Sequence, residues 1–111
     1  MPNIKIIHAK GVELLNEREK QLVNRLLNEY YGKIHRQLKN EVSFEVHIKT
    51  YQKEGKAKKF SINVRAVFGR AVFEANADDW DLARCVHKVM NKIMNEIEHK
   101  FHVSDQGRKG R

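Results

Sequence analysis

The stretch 78–101, DDWDLARCVHKVMNKIMNEIEHKF, carries the most organisation in this chain of 111 residues. Leu82, Val86, Val89, Met90, Ile93, Ile97 and Phe101 recur at intervals of three and four, which predicts a helix with one apolar face. Asp78, Asp79 and Asp81 stand at its start, where carboxylates complement the positive end of a helix dipole, and Asp78 is the expected N-cap. Arg84, Lys88 and Lys92, each four apart, stack in one row on another side of the helix. A cationic row with no acid in it, set opposite a buried face, suits contact with phosphates.

Upstream of this helix the period changes from helical to alternating. Phe60, Ile62, Val64, Ala66 and Phe68 alternate with Ser61, Asn63, Arg65 and Val67, which predicts a strand. Gly69-Arg70 marks a hairpin turn, and residues 71–76 make the return strand. Before the charged turn 52–59, around Gly55, Val42, Phe44, Val46 and Ile48 alternate with Ser43, Glu45, His47 and Lys49. Residues 16–40 return to helical spacing, with Leu22, Leu26, Tyr30, Ile34 and Leu38 on one face. Asn16 and Glu19 supply a capping box at its start. Arg18, Arg25 and Arg36 fall at spacings of seven and eleven and so return to nearly the same angle, a second cationic line that Glu29 interrupts. Residues 3–8 are rich in β-branched side chains and predict a first strand, paired with the second strand or at an edge, and 9–15 a loop containing Gly11. The order is βαβββα. The fold class is α+β, a four-stranded sheet with two helices packed on one face, leaving Ser43, Glu45, His47, Lys49, Ser61, Asn63 and Arg65 open to water.

Residues 1–101 are expected to form one domain and 102–111 a basic, disordered tail. Hydrophobic residues make up 41% and charged residues 32%, which places the chain in the soluble, globular class. The net charge is +8 and the tail holds Arg108, Lys109 and Arg111, so most of the excess lies in the body and implies a polyanionic partner, nucleic acid first. The single cysteine excludes an internal disulfide and sets the reducing cytoplasm as the expected compartment. No apolar run approaches the roughly 20 residues of a membrane span, and residues 1–15 lack the apolar run of a signal peptide.

The order and residues of this chain resemble the ribosome hibernation-promoting factor family, also called the ribosome-associated inhibitor or protein Y family, over residues 3–101. Asp81, the apolar positions that follow, Asn91 and Lys92 match the family's last helix. Ala83 stands for its usual Tyr, Cys85 for Ala, His87 for Asp and Met94 for Glu. The resemblance is to the short form, without the domain that pairs ribosomes. It implies a protein that binds the small ribosomal subunit through rRNA phosphates, blocks the tRNA/mRNA channel, inhibits translation and holds idle ribosomes inactive, as in a stress response. The RNA-binding residues are expected to be Arg84, Lys88, Lys92, Arg18, Arg25 and Arg36. No cofactor, small-molecule substrate or membrane partner is expected, and the protein off the ribosome is expected to be monomeric.

Rival readings are weaker. A double-stranded-RNA-binding domain presents lysines at the start of its last helix, where this chain has three aspartates. Dipole complementation accounts for those aspartates without a metal. His99 and His102 lack a third ligand. Cys85 is read as a small, semi-buried residue and His87 does not share its helix face, so no nucleophile–base pair is signalled and no enzyme is expected. Lys58, Lys59, Arg65 and Arg70 are weaker candidates for RNA contact, since charges at turns and sheet edges often serve to hinder aggregation. Trp80 is read as a packing residue capping the core. A module that dimerises through its open sheet, and a general RNA-binding chaperone, remain the alternatives.

Overall fold

Strict alternation of apolar and polar residues forces each strand to bury one side, and the amphipathic helices must cover that side. A computed structural model describes residues 6–39, 41–55 and 57–101. It contains β1 (Ile6–Lys10), one 3-10 turn (Val12–Leu14), α1 (Glu17–Leu38), β2 (Ser43–Tyr51), β3 (Lys59–Phe68), β4 (Ala71–Asp79) and α2 (Leu82–Phe101). The strands lie side by side in chain order. β1 runs parallel to β2, and the later pairs are antiparallel. This is the expected βαβββα, α+β architecture. The first strand satisfies both expectations for it, since it pairs with β2 and forms an edge.

Phe44, Val46 and Ile48 of β2 and Ile62, Val64 and Ala66 of β3 point into the core. Val23, Leu26, Leu27, Tyr30, Tyr31 and Ile34 of α1 meet them, as do Val86, Val89, Met90, Ile93 and Ile97 of α2. The Tyr31 ring packs edge-on against Phe44, with centroids 5.3 Å apart. Phe101 at the end of α2 meets Phe68 and Phe73 in the same way, at 5.6 and 6.0 Å, and pins the helix to the β3–β4 hairpin. The expected capping box is present: Glu19 N–H donates to Asn16 Oδ1 at 2.8 Å, and Asn16 N–H donates to Glu19 Oε1 at 3.0 Å. Gly11 has φ +89 and packs against the Ile48 backbone, so closely that a Cβ would overlap the Ile48 carbonyl.

Several boundaries and placements differ from the sequence reading. β1 reaches Lys10, beyond the expected end at His8; Asn3 to Lys5 and the 102–111 tail lie outside the described residues. β4 continues past Asn76 because Ser61 and Phe60 supply ladder partners for Asp78 and Asp79. Asp78 is therefore not the N-cap. Asp81 takes that role: its Oδ1 accepts from Arg84 N–H at 2.9 Å and its carbonyl from Cys85 N–H at 2.9 Å. Trp80 does not cap the core but stands 60% exposed, because it follows Asp78 with the parity of the open face. Cys85 is fully buried, not half-buried.

Candidate nucleic-acid interface

The row on α2 is present and lies along the free edge of β4. Arg84, Lys88 and Lys92 are all exposed, yet each leans on the strand. Lys88 Nζ lies 2.9 Å from Asp79 Oδ2 and donates to the Asp78 carbonyl at 3.3 Å. Arg84 reaches Asp79 Oδ1 at 3.7 Å. Lys92 Nζ donates to the Asn76 carbonyl at 2.7 Å. The outermost strand has carbonyls with no ladder partner, and two lysines of the row satisfy two of them. The row thus closes a sheet edge as well as presenting charge.

Asp79 organises that end of the row. It is 8% exposed and also accepts from Asp81 N–H at 2.9 Å. That backbone hydrogen bond, then the hydrogen bond from Lys88, hold its carboxyl below the ordinary aspartate range. By sequence alone Asp79 is one of three acids that complement the helix dipole. What marks it out is its inward parity in an extended β4, legible only once the strand's true end is known.

The line on α1 is differently set. Arg18, Arg25 and Arg36 are exposed, and none has an ion pair among the described residues. Gly32 lies on the same side of the helix, where a Cβ would meet only the Arg36 guanidinium at 3.5 Å. The two helices touch through Tyr30 and His87, whose Oη and Nδ1 share a hydrogen bond of 2.7 Å. Burial, and secondarily Glu29, raise the Tyr30 phenol, so it stays protonated at neutral pH. The helical layer therefore carries both cationic lines, one along the β4 edge and one on α1.

The weaker charges are partly spoken for. Lys58 pairs with Glu19 at 3.2 Å, tying the β2–β3 connection to the start of α1. Arg65 pairs with Glu45 at 3.5 Å across the open face. Lys59 stands over the Trp80 ring, 5.6 Å from its centroid. The Cys85 thiol donates to the Ala77 carbonyl at 3.3 Å, and burial, then Asp78 and Asp79, push it up to about 11. It is thus a protonated, enclosed thiol, unlike a reactive one. Among the described residues no group of three His, Cys, Asp or Glu side chains converges as metal ligands, and no helix is long and apolar enough to cross a membrane.

With this geometry in view, solved structures offer a direct comparison. The Protein Y N-terminal domain of Thermus thermophilus superposes with a TM-score of 0.64 at 11% identity, covering 87% of this chain and 99% of that one. This chain has the Protein Y fold. A ribosomal subunit interface protein from Coxiella burnetii matches with a TM-score of 0.51 at 13% identity, over 86% of this chain and 93% of that one. No family model and no curated protein sequence matches the chain. The fold is thus shared at 11–13% sequence identity.

Proposed function

We propose that this protein binds the small ribosomal subunit through rRNA phosphates and blocks the tRNA/mRNA channel, so that translation stops and idle ribosomes stay inactive. The observation that carries the reading is the placement of two cationic lines on the helical layer of a Protein Y fold. Arg84, Lys88 and Lys92 form one line and Arg18, Arg25 and Arg36 the other. The mechanism is occlusion. The domain is held by its basic side chains on phosphates and excludes tRNA and mRNA sterically, with no bond made or broken. A net charge of +8 draws the domain to RNA over the range that salt permits.

Co-sedimentation with separated ribosomal subunits over a salt series, with tRNA as competitor, tests this. Binding to the small subunit that salt and tRNA both remove is the expected result. A protein that stays at the top of the gradient at low salt would overturn the proposal.

A further inference from the structure

The open face of the sheet, opposite the helices, ends in a row of unusual composition. Tyr51 and Lys59 are register partners across β2 and β3. Trp80, leaving β4, completes the row. Tyr51 is 55% exposed and Trp80 60%. With Lys53, Ala57, Lys59 and Asp78 the two rings line one cleft of about 450 Å³, within the range of small-molecule sites. The Lys59 ammonium sits over one side of the Trp80 ring, 5.6 Å from its centroid.

Two large rings left in water at a sheet end forgo the burial that normally stabilises aromatic side chains. The lining says what would cover them. Its surface is mainly apolar, which suits a flat ring, while Lys53, Lys59 and Asp78 bring charged groups to the same cleft. A nucleotide needs all of these groups: a π face for the rings, an anion for the ammonium groups, and an acceptor such as Asp78 for an exocyclic amine. We propose that this cleft binds an unpaired nucleotide of a single strand, its base stacked on Trp80 and Tyr51 and its phosphate on Lys53 and Lys59. The site lies on the face away from both helices and does not rest on the cationic lines. A domain seated by its helices would still have it free to take a strand.

Trp80 is the chain's one tryptophan, so its emission reports on this site alone. The full chain is titrated with a cytidine octamer, chosen because the base carries an exocyclic amine. A deoxycytidine octamer run in parallel tells RNA from DNA as the source of the nucleotide. Saturable quenching of Trp80 is expected, with Tyr51→Ala weakening it about five- to a hundredfold, as the loss of one stacking ring does. Trp80→Ala, followed by anisotropy of a labelled octamer, is expected to lose affinity to a similar degree, while Lys33→Gln, at an exposed position of α1, leaves the quenching in place. Circular dichroism melts establish that each variant is folded, and Lys59→Gln read by Trp80 emission replaces any ring variant that is not. Octamer binding without quenching would overturn the proposal, as would no binding at low salt. So would a Trp80 signal that follows protein concentration alone, with light scattering showing a dimer, because the rings would then face a second copy.

Discussion

Asp79 shows how one carboxylate can fix a strand end, a helix start and two cations together. Its carboxyl is lowered in the folded protein, so the stability it contributes is present above the ordinary carboxylate range and is lost as pH falls through and below it. Thermal melts between neutral pH and the acid range are expected to show Asp79→Asn less stable at neutral pH and less sensitive to acid than the native chain. Parallel acid slopes for the two proteins would remove Asp79 from this role. Two glycines make opposite cases. Gly11 has φ +89 with the Ile48 carbonyl where a Cβ would go, so Gly11→Ala is expected to cost at least about 2 kcal/mol. Gly32 is an interior helical residue with room beside it, so Gly32→Ala should stabilise by about 1 kcal/mol. Denaturant titration of both variants checks the pair. If Gly32→Ala also weakens small-subunit binding, the missing side chain serves the close approach of a phosphate between Arg25 and Arg36.

The two cationic lines belong to elements with different obligations. On α2 the lysines also satisfy strand carbonyls, and Lys88 compensates a buried carboxylate. Reversing Lys88 to Glu would set two carboxylates together and test the fold as much as any ligand contact. Lys92→Gln and the three α1 arginines changed to Gln are cleaner probes. Each neutralised phosphate contact should flatten the dependence of log affinity on log salt by about one unit, while surface neutralisation on α1 should move stability by no more than about 0.5 kcal/mol. Co-sedimentation across salt reads the first effect and thermal melts read the second. Both helices, the capping box at Asn16 and Glu19, and the open face were legible because periodicity and capping are local signals. The end of β4 was not. Asp78 reads as an N-cap on local chemistry, and only Ser61 and Phe60, from another strand, keep it in the ladder. Trp80 was misread for the same reason, since its outward side follows from that longer strand. The cationic residues were individually visible, but the tether of Lys88 and Lys92 to the β4 edge was not, because nothing in the sequence spacing brings Asn76 to Lys92.

As a whole the molecule divides its two faces between different chemistries. Among the described residues the helical layer carries charge lines without exposed Phe, Tyr or Trp rings, and the sheet face carries mixed charges with Tyr51 and Trp80 at one end. The parallel pairing of Ile7 with Phe44 has a further consequence, for the order in which the fold is assembled. β2, β3 and β4 are joined by short connections and can zip in sequence. β1 must wait for a segment that includes all of α1 to close, which costs more chain entropy. Pulsed amide labelling during refolding is expected to protect the amides of the three later strands first and those β1 amides that bond β2 last. During synthesis β1 then emerges ahead of β2 and waits longest for its partner, and the apolar face of α1 has no sheet to cover until β2, β3 and β4 follow.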